Sequence, residues 1–557
     1  MKKVSLSIVT LLLCFVCLFS VACGGPRGDS ESVGGSSSGG GDSSVSNSIN
    51  YNGTININLP TSEFVYEDVA LKKVAAEYMS IHPETTINVE QWTSATYKDN
   101  LDSQFTGGAQ ITSADIVQTL LISNTYLTTK MVDYSSYLVK KNPYSDNKVW
   151  KDTLEEEAYP LSLDRSGIYS LNYTTSQSFF FYNKDLWRQA GLVNADGTDK
   201  IPATWDELVT FCQQIEEKTS AKEAISLSGA TYTTGAMSWL LNIYTDQYYR
   251  SIVENCHAVA GDYCYDPDID SDWSYDPADK NNDSPSKYTV NSLRFYKMLM
   301  ENEAGPNDAK YKAMLKNLKK VIPSHVQSTF VSDNHYQASN HFWAGEAALV
   351  YNTTDFFNTY KNIFADGGMY TEKFDVGFFE APPMTGSGEE APDCDTVRSV
   401  GGAVGYYGVV KKDKEHNDLV MDFMMFWGSK RGQDIYNASL KSQQAYIGGA
   451  SLIKNVDTPE EILPSKDYAF PGLCHNNPMG QFFGNVVSMN GALSAYQMYE
   501  SLTKNLFNDD STIDKYCSNL TKAIQAGIPV YFQGLASAGT QPVSARRFGG
   551  NSGCSPA

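Results

Sequence analysis

Seven aspartates crowd one segment of the chain, and carboxylates at alternating positions could coordinate calcium. They are Asp266, Asp268, Asp270, Asp272, Asp276, Asp279 and Asp283. An EF-hand loop that began at Asp266 would need glycine at its sixth position and glutamate at its twelfth, where Ser271 and Pro277 stand. We therefore interpret the segment as a solvated acidic insertion and assign no metal ligand to it.

The residues that could carry out catalysis do not form a recognisable set. Glu155, Glu156 and Glu157 supply carboxylates, but nothing places two of them on either side of a bond, as glycoside hydrolysis requires. No G-x-S-x-G motif follows a predicted strand, and the 7 histidines are scattered. The formal charge of −21 argues against a nucleic-acid partner, because phosphate binding needs clustered Lys and Arg. We expect no enzyme activity, no zinc site and no cofactor.

The N-terminus has the pattern of an export signal. Lys2 and Lys3 precede an apolar stretch, which predicts a signal peptide over residues 1–22. Small residues then lead to Cys23, and the site resembles a bacterial lipobox, although Ser20 replaces the usual aliphatic residue. Residues 23–50 are mostly Gly, Ser and other polar residues, which indicates a flexible tether. We expect a lipid on Cys23 that anchors the protein at the outer face of the cell membrane; an ordinary signal peptide or an uncleaved anchor is the alternative.

Export also bears on two cysteines of the acidic insertion. Cys256 and Cys264 are eight residues apart and flank its start, and in an oxidising compartment this spacing predicts a disulfide.

Hydrophobic periodicity predicts an α/β protein with a parallel sheet. Residues 54–59 and 86–89 read as strands, and the helix between them has apolar residues at helical spacing. Ligands of such βαβ sheets bind beyond the carboxyl ends of the strands. Ser62 and Glu63, after the first strand, are therefore candidate ligand contacts, with a plain loop as the alternative. Trp92, just past the second strand, could stack on a sugar ring or pack against the protein.

The stretch 178–208 combines a strand, a short helix and a capped helix. Residues 178–182 are apolar and aromatic, which suits a strand buried on both faces. Gly191 suits the left-handed residue that ends a helix, and Thr204 with Glu207 has the spacing of a capping box. This run, "YNKDLW…AGL…P.TWDEL", resembles the extracellular solute-binding proteins of ABC importers, in the family that includes many sugar-binding proteins.

Three later segments resemble the same family in the same order. They are "FWAGEAALV" at 342–350, the glycine-rich stretch 401–411, and "FMMFWGSKRGQDIY" at 423–436. The resemblance implies a two-lobed periplasmic-binding-protein-like (type II) α/β fold with discontinuous lobes and hinge crossings. The expected N-terminal lobe is 51–164 plus 347–412, and the expected C-terminal lobe is 165–346 plus 413–533. Residues 534–557 are expected to be a disordered tail.

The resemblance also implies further ligand contacts in the cleft between the lobes. Ser176 and Gln177 fall where the chain crosses between lobes and suit hydrogen bonds to a neutral polyol, with a polar surface turn as the alternative. Asn352 and Thr353 fall at the next lobe junction. The remaining candidates are Trp239, which could instead be core, Gly402, whose backbone could approach a ligand, and Phe483.

The implied function is capture of a sugar or oligosaccharide by hinge closure, followed by delivery to the permease of an ABC importer. We expect a monomer. The alternatives are a surface glycan-binding lipoprotein without a transporter and a secreted carbohydrate-active enzyme.

Overall fold

The computed structural model describes residues 49–60, 67–107, 113–119, 122, 124–160, 167–230, 235–284, 287–356, 363–364, 369–370, 373–445, 449–456, 459, 472–479 and 494–537. Within these residues the long strands form two sheets, and a separate buried apolar core packs on each sheet. We call the two units the first lobe and the second lobe. The two-lobed α/β fold expected from the sequence is confirmed. None of the described helices is long and apolar enough to span a membrane.

The first lobe begins with the predicted βαβ unit. β1 (Gly53–Pro60) runs parallel to β2 (Thr85–Trp92), and α1 (Glu67–Ile81) connects them. β3 (Ile116–Gln118) lies parallel on the other side of β1, and the last strand of the chain, Tyr407–Val409, closes the sheet antiparallel to β3.

Helices cover the first sheet and bury its apolar side chains. Between β2 and the second lobe the chain forms α2 (Ser94–Gly107), α3 (Asn124–Lys130) and α4 (Ser135–Leu138). Leu71, Val74 and Tyr78 of α1 are fully buried in the same core as Phe423 and Trp427, which belong to a helix much later in the chain.

The second lobe is built around β4 (Thr174–Asn183), which carries the aromatic run. Its sheet also contains β5 (Glu223–Ser226), β6 (Ala347–Thr353) and β7 (Val376–Phe379), in the order β5-β6-β4-β7. Phe180 and Tyr182 point into one core and Phe179 and Phe181 into another. The prediction of a strand buried on both faces is confirmed.

Two short helices follow β4, and their ends are close to those predicted. α5 (Lys184–Gln189) is capped by the Asn183 side chain, and Gly191 behind it has φ +80°. α6 (Trp205–Lys218) is capped by the Thr204 hydroxyl, which accepts from the Glu207 N–H at 3.2 Å. A capping box also requires the Glu207 carboxylate to accept from the N–H of Thr204, and this contact was predicted wrongly. The carboxylate accepts instead from the N–H of Ala203, one residue earlier.

The remaining helices of the second lobe pack into the core under β4. Earlier in the chain they are α7 (Ala236–Tyr249), α8 (Ile252–Cys256), α9 (Pro267–Asp270), α10 (Ser292–Glu301), α11 (Ala309–Leu318) and α12 (His335–Trp343). The helix pair α13 (Lys414–Trp427) and α14 (Lys430–Ser442) comes next in the chain and belongs to the first lobe. The C-terminal helices α15 (Ser494–Phe507) and α16 (Ile513–Ser537) belong to the second lobe. Residues 534–537, which were expected in the disordered tail, belong to α16, which continues to Ser537; residues 538–557 lie outside the described residues.

The assignment of chain segments to lobes was wrong in two places. Residues 347–412 were expected in the first lobe, but β6 and β7 pair with β4 in the second lobe, through contacts such as Ser178↔Thr353 and Phe180↔Phe379. Residues 413–533 were expected in the second lobe, but α13 and α14 pack on α1 and β1 of the first lobe. Of the described segments that follow α14, residues 472–479 and the helices α15 and α16 lie in the second lobe. Hydrophobic pattern does not show which of two cores a segment will join.

The described residues cross between the lobes at two places. The first crossing is the start of β4, and the second is β8 (Gly401–Val404) leading into β9 (Tyr407–Val409). β8 pairs antiparallel with β4 from Thr174↔Val404 to Gln177↔Gly401. After α14, Ser451 bridges to Thr174 on the other side of β4, while Leu452 and Ile453 remain in the first-lobe core. These paired crossings form the hinge.

The acidic insertion is more ordered than a solvated loop. Asp270 accepts from the backbone N–H of Thr289 at 2.7 Å, and Asp283 accepts from Arg398 at 2.7 Å; both carboxylates are buried. Arg398 also bonds Asp246 of α7 at 3.0 Å. Burial by itself raises the pKa of Asp246, but the charges of Arg398 and Arg250 outweigh burial and hold that pKa below its ordinary value.

The disulfide predicted at this insertion is not present. Cys256 and Cys264 are both buried and each remains a separate thiol. The Cys256 thiol lies at the end of α8 and donates to the carbonyl of Ile252 at 3.2 Å, so its side chain follows its own helix. Sequence spacing could not show this direction.

Replacing Gly401 should destabilise the hinge. Gly401 has φ +135°, and a Cβ there would collide with the backbone oxygen of Ser176 on β4. We expect Gly401→Ala to lower the free energy of unfolding by at least about 2 kcal/mol in urea denaturation. The control is Gly345→Ala, where φ is +69° but nothing lies within 4 Å of the added Cβ, so only the cost of about 1 kcal/mol for a left-handed residue applies. Equal losses in the two variants would contradict the collision.

Removing the Arg398 guanidinium should leave two buried carboxylates without their shared cation. We expect Arg398→Met to cost about 3–5 kcal/mol in urea denaturation. Lys316→Met is the control, because its ion pair with Glu390 is more than half exposed and contributes less than about 1 kcal/mol. A loss for Arg398→Met as small as that of the control would contradict a structural role for the cluster.

Candidate functional site in the interlobe cleft

The carboxyl ends of the parallel strands lie beside the hinge in both lobes. In the first lobe β1, β2 and β3 are parallel, and Gln118 at the end of β3 pairs with Tyr407, next to the second crossing. In the second lobe β5 and β6 are parallel, and Thr353 at the end of β6 pairs with Ser178 on the crossing strand. The two sheet edges where ligands are expected therefore flank the same hinge.

The first-lobe edge offers two partly exposed aromatic rings. Trp92 ends β2, and its ring lies 6.0 Å from that of Tyr97, so one side packs while the residue stays half-buried. Tyr406 is also half-buried and stands between β8 and β9 with φ +50°. Its carbonyl accepts from the N–H and the hydroxyl of Thr119 at 2.7 and 3.0 Å, just beyond β3. A non-glycine residue in this conformation is held there by its surroundings.

The predicted crossing residues are in the hinge but are packed into it. Ser176 and Gln177 are 6% and 1% exposed and pair with Gly402 and Gly401. The Gln177 amide donates to Glu380 at 3.4 Å, whereas its buried Oε1 has no hydrogen-bond partner among the described residues. The position of the crossing was predicted correctly; the alternative of a polar surface turn is not what the structure shows.

Hydroxyl groups connect the crossing strand to its neighbours. The Ser178 hydroxyl lies 2.7 Å from the Tyr351 hydroxyl and 3.2 Å from that of Ser399, and the Ser178 N–H donates to Ser399 at 3.1 Å. A small cavity of about 10 Å³ beside them is lined by Gln177, Glu380 and Arg398, among others. A cavity of this size suits one water molecule, which could satisfy Gln177 Oε1.

The second-lobe edge places the other candidates differently. Thr353 is half-buried at the end of β6, next to the hinge. The Asn352 amide points to α12 instead and donates to Ser339 at 3.2 Å.

Trp239 is a core residue and is 8% exposed. Its ring stacks on His335 with 4.8 Å between the ring centroids, so the structure agrees with the alternative in which Trp239 packs in the core. Burial lowers the pKa of His335 to about 4, so this histidine is neutral at physiological pH.

Gly402 approaches protein rather than an open cleft. It pairs with Ser176, and a Cβ at this position would lie 3.2 Å from a methyl group of Leu473. Its small size therefore lets Leu473, in the described segment 472–479, pack on β8. Ser62, Glu63, Phe483 and the lipidation candidate Cys23 lie outside the described residues.

Glu380 and Tyr406 are functional candidates that the sequence analysis missed. Glu380 directly follows β7, and part of its side chain is exposed beside the hinge, where its carboxylate accepts from the Gln177 amide. Burial of the rest raises the pKa of its carboxyl group, against the opposing effects of the Lys280 charge and the Gln177 hydrogen bond. The rule that ligands meet strand ends could have found Glu380 only once β7 was known to belong to this sheet. Tyr406 has no sequence signal beyond the glycine before it.

The chain matches one family model and is similar to solved structures at low sequence identity. The family model described as "Bacterial extracellular solute-binding protein" matches residues 63–434. The GacH receptor of Streptomyces glaucescens, solved unliganded and with acarbose, is 15% identical with a TM-score of 0.49 over 86% of this chain and 99% of that one. A family 1 extracellular solute-binding protein from Bifidobacterium longum subsp. infantis is 16% identical with a TM-score of 0.48, again over 86% and 99%. No curated protein matches the chain.

The raised pKa of Glu380 leads to a pH-dependent prediction. The folded protein binds this proton more tightly than the unfolded chain, so the stability that Glu380 contributes is greatest in acid and declines as the pH rises through its folded pKa. Glu380→Gln cannot ionise and keeps the oxygen that accepts from Gln177. We expect this variant to melt at a higher temperature than the wild type at neutral pH and to lose that advantage at about pH 4.

The matched control for this measurement is Glu389→Gln, which changes an exposed carboxylate nearby in sequence. It should leave the melting temperature nearly unchanged at both pH values. The desolvation of Glu380 would be disproved if Glu380→Gln shifted the melting temperature equally in acid and at neutral pH.

Proposed function

The chain belongs to the bacterial extracellular solute-binding protein family, and we propose that it captures a sugar or oligosaccharide in the interlobe cleft and delivers it to an ABC importer. The observation that carries the proposal is the placement of the strand ends. The ligand-facing edges of the two sheets flank one hinge built from paired crossings, so a rotation about the hinge would bring the edges together around a solute. Binding of this kind requires no chemistry on the ligand.

The groups at the two edges suit a neutral polyhydroxylated ligand. Trp92 and Tyr406 on the first lobe can offer flat apolar surfaces to the C–H faces of a sugar ring. Thr353 and Glu380 on the second lobe can exchange hydrogen bonds with its hydroxyl groups. Aromatic surface on one lobe and polar groups on the other would make the ligand a bridge that stabilises the closed form.

Anchoring and delivery complete the proposal. A lipid on Cys23 would hold the protein at the membrane, and the 27 residues 24–50 form its polar tether. A flexible tether of this length spans roughly 30 Å on average. That distance would let the folded lobes stay close to a permease in the same membrane while remaining free to close and to reorient.

The proposal predicts that a carbohydrate stabilises and compacts the protein. A ligand that binds with micromolar affinity adds roughly 4 kcal/mol at a millimolar concentration, which is a shift of several degrees. We would screen mono- and oligosaccharides by thermal melting of the protein. The radius of gyration of the protein would then be measured by small-angle X-ray scattering, with and without the sugar that stabilises it most. Stabilisation together with a smaller radius and an unchanged ligand is the expected result. If no sugar in the panel raised the melting temperature, the carbohydrate assignment would be contradicted. Release of a product from the sugar would favour the enzyme alternative.

Substitutions at Trp92 test where that ligand binds. Trp92→Ala removes the flat surface and should weaken binding by about tenfold or more, whereas Trp92→Phe keeps an aromatic face and should lose much less. The comparison is made by calorimetric titration with the sugar found in the screen. Equal affinities for the Ala and Phe variants would show that stacking on residue 92 plays no part.

The importer partner is tested separately from the ligand. The closed, liganded protein should bind permease subunits encoded beside its gene more tightly than the open form, because the two lobes present one continuous surface only when closed. Binding of the sugar without any such permease would leave the surface glycan-binding lipoprotein as the better description.

A further inference from the structure

A second group of polar side chains lies at the opposite end of the second-lobe sheet from the cleft. Glu223 begins β5, Ala347 beside it begins β6, and Glu346 directly precedes β6. His341 lies in the last turn of α12, which packs on the start of these strands. The group is therefore at the amino ends of β5 and β6, whereas the cleft is at their carboxyl ends.

Three ligand atoms converge there. The Nδ1 atom of His341 lies 2.9 Å from Oε2 of Glu346 and 3.4 Å from Oε1 of Glu223. The three atoms all lie within 4.8 Å of one another. Ligands at 2.0–2.2 Å around a tetrahedral zinc ion are about 3.3 Å apart. The observed separations are thus close to those of a metal-ligand set, and small side-chain rotations would complete it.

The other imidazole nitrogen faces a third carboxylate. Nε2 of His341 lies 3.5 Å from Oδ2 of Asp333, a buried residue held by Thr329 at 2.6 Å and Gln327 at 3.1 Å. A neutral imidazole that keeps its proton on Nε2, toward Asp333, presents the lone pair of Nδ1 to the two glutamates. This arrangement of carboxylate, histidine and metal is how proteins orient a ligating histidine.

The local charge also calls for a cation. Glu223, Glu346 and Asp333 surround His341, and Lys222 is the cation that contacts the group, through the other oxygen of Glu346. A divalent cation between Nδ1 and the carboxylates would balance the negative charge of this group.

We propose that Glu223, His341 and Glu346 bind a divalent transition-metal ion of the zinc class, with Asp333 orienting the histidine. Imidazole nitrogen and carboxylate oxygen suit such an ion, and His341 is 28% exposed, which leaves room for water as a fourth ligand. The ion would join α12, β5 and the start of β6, and would stiffen the second lobe without contacting the solute. No spacing in the sequence indicates this site, because Glu223 is more than one hundred residues from the other two ligands.

Another histidine of the same lobe provides the matched control. Nδ1 of His325 lies 2.9 and 3.0 Å from the two oxygens of Glu216, and Glu216 is the carboxylate that contacts it. The pair has the same chemistry as His341 with Glu346 but lacks the second glutamate. His325→Gln should therefore leave metal binding unchanged.

The test is titration of the chelator-treated full chain with Zn²⁺ by calorimetry, and with Co²⁺ by visible absorption, which reports the ligand geometry. We expect one equivalent to bind in the wild type, with a higher melting temperature in its presence. His341→Gln and Glu346→Gln should each weaken Zn²⁺ binding by about tenfold or more, and Asp333→Asn by about 10–100-fold. Comparison with His341→Gln removes any contribution from thiols elsewhere in the chain.

The melting temperatures of the metal-free variants show whether each one folds, and Glu346→Gln, at a partly exposed position, serves if a more buried variant fails. Zn²⁺ binding by the wild type no stronger than by His341→Gln or Glu346→Gln would overturn the proposal and leave His341 as a hydrogen-bonding partner of the carboxylates around it. Equal losses in His325→Gln would overturn it as well, because the second carboxylate would then have no role.

Discussion

The whole structure depends on one strand that serves two lobes. The first four residues of β4 pair with β8 at the hinge, and the rest of the strand pairs with β6 and β7 in the second-lobe sheet. This arrangement requires the backbones of β4 and β8 to approach closely where Gly401 meets Ser176, which only a residue without a Cβ permits. It also buries Ser176 and Gln177, so polar residues that could have bound a solute instead hold the crossing in place. In the binding mode that we propose, the ligand contacts lie further out, at the strand ends on either side.

The second lobe carries its own internal tie. Arg398 lies just before β8 and joins α7 to the acidic insertion through Asp246 and Asp283, and Asn477, in the segment 472–479, donates to Asp246. Buried charges of this kind require full pairing, so the three segments are held in one arrangement. The acidic insertion, which was interpreted from the sequence as solvated, is therefore tied to the part of the second lobe beside the hinge. Rigid lobes are what a hinge mechanism needs, because motion is then confined to the crossings.

The two ends of the second-lobe sheet differ in chemistry. At the carboxyl ends, Thr353 and Glu380 lie beside the crossing strand, where Thr353 pairs with Ser178 and Glu380 accepts from the Gln177 amide. At the amino ends, Glu223, His341 and Glu346 bring an imidazole and two carboxylates within 4.8 Å of one another. The first set suits a neutral solute that enters and leaves, and the second suits a small cation that stays. Because β5 and β6 connect the two ends, a cation there would act on the cleft only through the rigidity of the sheet.

Local elements could be read from the sequence because their causes are local. The βαβ unit at the start, the aromatic strand at 178–182, Gly191 at the end of α5 and the Thr204 cap all follow from periodicity, φ preference and side-chain reach over a few residues. The resemblance of four segments to one family identified the two-lobed fold and the position of the first crossing. Which lobe received β6, β7 and α13 was decided by tertiary structure, because both cores are equally apolar and only strand pairing and helix packing select between them. The same holds for the sites: the direction of Trp239 into the core, the exposure of Tyr406 and the meeting of Glu223 with His341 depend on contacts between distant segments, which no spacing in the sequence encodes.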